Sequence, residues 1–127
     1  MTLIFDPAAE GFAKVLKDYQ AEALRLVWSK GDEGTISKEA WQQTNEALRG
    51  VRTISRASVI NFLNDMVDEG VLNYREETCK GGSRGVYSPK MSESGFKKHI
   101  AEMVVTSLIR DFPEETEETL KELQLIS

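Results

Sequence analysis

The sequence predicts a mainly helical fold with one small β-hairpin. Three observations predict it. Val59, Phe62, Leu63, Met66 and Val67 recur at the three- and four-residue spacing of one helix face. Two runs rich in strand formers, Val71–Arg75 and Arg84–Pro89, flank the glycine turn Lys80-Gly81-Gly82-Ser83. A long, cap-ready segment from Ser92 to Asp111 follows the second run, and Pro113 breaks it.

The elements come in order. Tyr19, Ala23, Leu24, Leu26, Val27 and Trp28 mark a first amphipathic helix, and Gly31 stops it. Gly31 to Gly34 reads as a loop. Ser37 is the expected N-cap of a second helix, with Ala40, Trp41, Thr44, Ala47 and Leu48 on its apolar side and Gly50 at its end. Ser55 opens the third helix and Gly70 closes it. The hairpin then carries a basic, glycine-rich tip. In the helix after it, Met103, Val104, Val105, Leu108 and Ile109 occupy more than one face, and a helix apolar on several sides is buried on several sides. A second chain would supply the extra cover. The acidic run Glu114–Glu118 begins a last helix, where acid suits the helix dipole, and Leu120, Leu123 and Ile126 give it an apolar edge. The order is that of a winged helix-turn-helix followed by C-terminal dimerisation helices. The expected division is an N-terminal extension over 1–18, a winged-helix domain over 19–91 and a helical dimerisation region over 92–127.

Composition narrows the function. The chain has 127 residues and is 40% hydrophobic and 29% charged, which suits a folded protein rather than a disordered one. Its one cysteine, Cys79, permits no disulfide within the chain and no four-thiolate metal site. A reducing cytoplasm is the expected setting. The apolar run Leu3-Ile4-Phe5 ends at Asp6-Pro7 without a basic leader, so no signal peptide is expected, and no apolar stretch is long enough for a membrane span. A single histidine, His99, and no nucleophile in a recognisable setting argue against an enzyme. No metal or other cofactor is expected.

The net charge of −5 opposes DNA when taken as a sum, yet its distribution does not. Residues 35–63 and 71–91 each carry a net +2, while the acid gathers at the two ends and at Asp65, Asp68 and Glu69. From Arg49 to Asn64 there are three arginines and no acid.

A DNA contact surface follows from the third helix. With its apolar face inward, Arg56, Ala57, Ile60, Asn61 and Asn64 face outward, and Ser55, Arg56 and Ser58 lie near its start. Arginine pairs bidentately with guanine and asparagine with adenine, whereas serine mostly bonds phosphate. Arg52 precedes the helix and adds charge. Ile60 either meets a thymine methyl or is half-buried. At the hairpin tip Lys80, Ser83 and Arg84 suit a phosphate backbone or a minor groove. Each of these features also has an ordinary reading as a solvated face or a solubilising turn. Gly81-Gly82 lacks the spacing of a phosphate loop. Trp28 and Trp41 are expected in the core. Cys79 beside Lys80 is more ordinary than redox-active, and His99 more suited to an interface or surface than to a metal.

These residues also carry a resemblance. Ala21-Glu22-Ala23-Leu24-Arg25-Leu26-Val27-Trp28 with Gly31, the run from Ser58 to Leu72, and Val86-Tyr87-Ser88-Pro89 are similar to the opening, recognition helix and wing ending of the penicillinase-repressor family of winged-helix regulators. The MarR-like group shares many of the apolar positions. The resemblance implies a homodimeric repressor of double-stranded DNA that binds a dyad operator through the third helix and wing. It implies dimerisation through C-terminal helices, here Phe96, Ile100, Met103, Val104, Leu108, Ile109, Leu120 and Leu123. Asp65 and Glu69 stand where the family carries basic residues. Some members are cut at an Asn-Phe bond beyond the wing, whereas the one here, Asn61-Phe62, is inside the third helix. The paired C-terminal cysteines of copper-responsive relatives are missing. Two further expectations remain open: a winged-helix interaction module without DNA binding, and a MarR-like regulator with a small apolar ligand.

Overall fold

A computed structural model describes residues 3–124. The described chain is mainly helical, with five α-helices and one three-stranded antiparallel sheet. The helices are α1 (Asp18–Lys30), α2 (Ser37–Ala47), α3 (Arg56–Asp68), α4 (Glu93–Asp111) and α5 (Pro113–Glu122). The strands are β1 (Thr35–Ile36), β2 (Leu72–Cys79) and β3 (Gly82–Pro89), in spatial order β1-β3-β2. This order is compatible with a winged helix. The chain divides into two compact units, one ending at Glu93 and one starting at Ser94. Among the described residues no helix is long and apolar enough to cross a membrane.

The core of the first unit follows the helix spacings. Ala23, Leu24 and Val27 of α1, Ala40 and Leu48 around α2, and Val59, Phe62, Leu63 and Met66 of α3 are buried together with Val71, Leu72, Val86 and Tyr87. Tyr19 meets the Phe62 ring edge-on at 6.4 Å. Leu26, Trp28, Trp41 and Val67 are only half-buried, and Ala47 is exposed, so the apolar stripes are narrower than their spacing implies. Each tryptophan keeps its polar edge satisfied, as a half-buried indole should. Trp28 Nε1 donates to Met91 O at 3.1 Å, and Trp41 Nε1 to Ile54 O at 2.9 Å.

Several boundaries move. Gly31 caps α1 with φ 62, as its position suggests, but Gly31–Glu33 then form a 3-10 turn instead of a loop and lead into the short strand β1. Ser37 is the first residue of α2 and not its cap; Ile36 holds that place with no side-chain bond. α2 ends at Ala47, and Gly50 lies in the turn beyond it. Ser55 does cap α3, its Oγ accepting from Ser58 N at 3.1 Å. β2 runs four residues past Arg75. Cys79 therefore pairs with Gly82, and only Lys80 and Gly81 make the turn.

The largest difference concerns the N-terminal segment. Residues 3–17 are integral to the first unit, with Leu3, Val15 and Leu16 buried. A 3-10 turn over Gly11–Lys14 and the Asp6 N to Lys14 O bond of 2.7 Å fold the segment on itself. Phe12 packs on Trp28 with ring centres 5.7 Å apart, and Arg25 lies over the Phe12 ring at 5.6 Å.

In the second unit, α4 closes with Phe112 N bonding Leu108 O at 2.6 Å, and Pro113 starts α5 at a position that needs no amide donor. Ile126 lies outside the described residues.

Candidate nucleic-acid interface

The surface of α3 follows from what it buries. Four apolar side chains face inward, which turns Arg56, Ala57, Asn61 and Asn64 to solvent; Ser55 is exposed too, and Ser58 and Ile60 are half-buried. The half-buried reading of Ile60 is therefore the observed one. No acid lies in the first turn of α3, so its helix dipole and Arg56 present positive charge together. Ser55 and Ser58 spend part of their capacity on each other, with hydroxyls 2.9 Å apart. Arg56 reaches back toward α2, where Nη2 lies 3.5 Å from Ser37 Oγ, a contact too long to hold it firmly.

The entry to α3 is fixed by α2. Asn45 Oδ1 accepts from Ile54 N at 2.7 Å, and Asn45 Nδ2 donates to Ile54 O at 3.0 Å. Beside this joint, Trp41, Gln42, Asn45, Glu46 and the 49–53 turn line a shallow cleft of about 610 Å3.

Ion pairs change the charge picture obtained by counting. Arg52 Nε lies 3.1 Å from Asp18 Oδ2 at the start of α1, so its charge is already partnered. Arg49 lies 3.4 Å from Glu46. In the hairpin Arg75 bonds Glu77 at 2.9 Å and donates to the carbonyls of Glu33 (2.8 Å) and Asp32 (3.3 Å). It fastens the base of the hairpin to the turn after α1. Arg84 comes within 3.9 Å of the same Glu77. Lys80, Ser83 and Arg84 are all exposed near the tip, and Lys80 makes no ion pair among the described residues. The tip is basic, but by less than the sequence count implies. Asp18 is distant in sequence from Arg52, and charge counting carries no signal for that pair, whereas Glu46 and Glu77 lie close in sequence to Arg49 and Arg75.

Asn64 has a role that the helical wheel misses. Its side chain is held by the sheet: Tyr87 Oη donates to Asn64 Oδ1 at 2.6 Å. Tyr87 itself is buried, and burial, then the neighbouring Tyr74, push its hydroxyl above the ordinary tyrosine range. It stays protonated at neutral pH and can donate. Tyr74 meets Tyr87 edge-on at 5.2 Å and lies over Gly85, where an added Cβ would stand 2.4 Å from its ring.

The residues expected at a dimer interface separate into two groups. Leu108, Ile109 and Leu123 are exposed, as is Phe112, which the sequence reading omits. Ile100, Met103, Val104 and Leu120 are half-buried. Phe96 is fully buried within the single chain. His99 stacks on Phe96 at 6.3 Å, and its Nε2 is sealed from solvent without a hydrogen-bond partner among the described residues. Val105, Leu108, Phe112, Thr116, Thr119 and Leu120 line a groove of about 290 Å3 within this unit. Among the described residues no group of three His, Cys, Asp or Glu could hold a metal ion. Cys79 is half-buried at the end of β2. The chain matches no protein-family model and has no significant match among curated proteins.

Proposed function

We propose that residues up to Glu93 form a winged-helix DNA-binding domain and that the protein is a cytoplasmic homodimeric repressor acting by occluding a promoter. It acts by binding and not by catalysis. One observation carries the reading: α3 buries four apolar residues and turns Arg56, Ala57, Asn61 and Asn64 to solvent, with no acid in its first turn. Such a face suits the major groove, where arginine and asparagine read base edges. Lys80 and Arg84 at the hairpin tip would meet phosphates. The exposed Leu108, Ile109, Phe112 and Leu123 in the second unit support self-association, since exposed apolar clusters mark interaction surfaces. Two α3 helices in a dimer would enter successive major grooves, about 10 bp apart or a multiple of it.

One observation favours the alternative, an interaction module without DNA binding. Arg52, Arg75 and Arg84 all have acidic partners within the chain, which lowers the charge offered to phosphate. Fluorescence anisotropy separates the two. Binding is measured on a random-sequence duplex and on a duplex selected from a random library, at several salt concentrations. The repressor reading expects affinity to fall with a log–log salt slope near −0.9 per phosphate contact. It also expects Arg56→Ala to cost about 1–3 kcal/mol on the selected duplex. No binding to any duplex at low salt would overturn it.

A further inference from the structure

The third helix and the hairpin are joined through one short polar bond, and that bond involves a side chain on the outward face. Asn64 is exposed, while Tyr87 of β3 is buried beneath it. The 2.6 Å bond from Tyr87 Oη takes one of the two lone pairs of Asn64 Oδ1. An exposed asparagine ordinarily turns its amide freely and offers a donor or an acceptor as the partner requires. Here the oxygen is tied to the sheet, so the amide is held in one orientation, with its NH2 group and the second lone pair of Oδ1 left to a partner. Tyr87 cannot easily give way, because Tyr74 packs edge-on against it and β1 and β2 pair with β3 on either side of it.

We propose that Tyr87 is a positioning residue that holds the Asn64 amide in one orientation, so that Asn64 meets a base edge already oriented. This rests on the DNA-binding reading and deepens it. The NH2 group can donate to a purine N7 while the second lone pair of Oδ1 accepts from adenine N6, and adenine is the base that engages both ends. A freely turning asparagine would have to be ordered on binding. The lock therefore favours adenine at the base pair that Asn64 faces.

The test compares wild type, Tyr87→Phe, Asn64→Ala and the double variant on the selected duplex, on single-base-pair variants of it and on a random duplex. Tyr87→Phe keeps the ring and its packing and removes only the hydroxyl. It is expected to weaken the selected duplex roughly tenfold, within the range of one base contact, and to leave the random duplex unchanged. It should also flatten the preference for adenine at one base pair. The double variant should bind no worse than Asn64→Ala, because the tyrosine acts through the asparagine. Nitrogen-15 NMR of the free protein gives a readout independent of DNA: one asparagine side-chain amide pair, lost in Asn64→Ala, should change shift and exchange faster in Tyr87→Phe. Equal losses on selected and random duplexes, or additive losses in the double variant, would assign Tyr87 a structural role only and overturn the inference. Wild type that binds no duplex overturns the DNA reading itself, and this inference with it. Wild type that binds, with Tyr87→Phe unchanged on every duplex, overturns the inference alone.

Discussion

Asn45 satisfies both backbone polar groups of Ile54, accepting from its N–H at 2.7 Å and donating to its carbonyl at 3.0 Å. Ile54 directly precedes Ser55, the cap of α3, so this pair sets where and in which direction α3 starts. The Ile54 carbonyl has a second donor in Trp41, but the N–H depends on Asn45. Asn45→Ala should therefore cost about 1–3 kcal/mol, the penalty for a part-buried donor left unmet. Asn45→Asp keeps an acceptor for that N–H and should recover part of the loss. Urea denaturation reads both. A loss under about 0.5 kcal/mol for Asn45→Ala would place it among ordinary surface changes and sink the idea.

Gly34 stands at a tight approach that only glycine fits. It has φ 80, and an added Cβ would lie 2.5 Å from Val86 Cγ1 and 2.9 Å from the Tyr87 carbonyl. Gly50 has nearly the same backbone, φ 84, but open space around it. The pair separates strain from crowding. Gly50→Ala should cost about 1–2 kcal/mol, the left-handed penalty alone. Gly34→Ala adds overpacking against the β1–β3 pairing and should cost about 3 kcal/mol or more. Equal losses in thermal melts would show that the sheet yields to the extra atom.

Tyr87 also gives the fold a pH signature. Its folded pKa lies above the ordinary value, mainly through burial. The folded state then holds this proton at pH values where the unfolded chain has released it, so stability falls as pH rises in that window. The contribution is complete below about pH 10, the unfolded value, and is lost as pH climbs through the raised one. Tyr87→Phe has no such proton. The melting difference between wild type and Tyr87→Phe should stay level from about pH 7 to 9.5 and shrink above about pH 10. Lys30, raised by its bond to Glu39, titrates in the same alkaline region, and it cancels in this difference because both proteins carry it. A flat difference throughout would show that the hydroxyl is solvated.

What could be read from the sequence was what repeats locally. The buried face of α3 follows directly from the spacing of Val59, Phe62, Leu63 and Met66, and Ser55 declares its own cap. The hairpin is legible for the same reason, although the pairing of Cys79 with Gly82 makes its turn shorter. Leu3, Val15 and Leu16 were not legible as core, because an irregular segment has no period to betray its inward side. β1 has two residues, too few to show alternation. At the candidate site the exposed arginines and asparagines were legible as types. Their partners were not, since Arg52 meets Asp18 and Asn64 meets Tyr87 across long stretches of chain.

The Arg52–Asp18 pair supplies a prediction about affinity. Both side chains are about half exposed, so the bond of 3.1 Å contributes little to stability, about 0–1 kcal/mol. Its effect on DNA is larger in proportion. Asp18 holds Arg52 just before α3 and places a negative charge beside the surface proposed to meet phosphates. Asp18→Asn keeps the shape, removes that charge and releases the guanidinium. If Arg52 then reaches a phosphate, affinity for a random duplex should rise several-fold at low salt. The log–log salt slope should become more negative by about 0.9, one added phosphate contact. Asp18→Asn combined with Arg52→Ala should return the slope to the wild-type value or below it. A rise in affinity that survives Arg52→Ala would mean that Asp18 acts by repelling DNA and not by restraining Arg52. An unchanged slope in Asp18→Asn would place Arg52 outside the DNA footprint, leaving Arg56 and the hairpin tip as the cationic contacts.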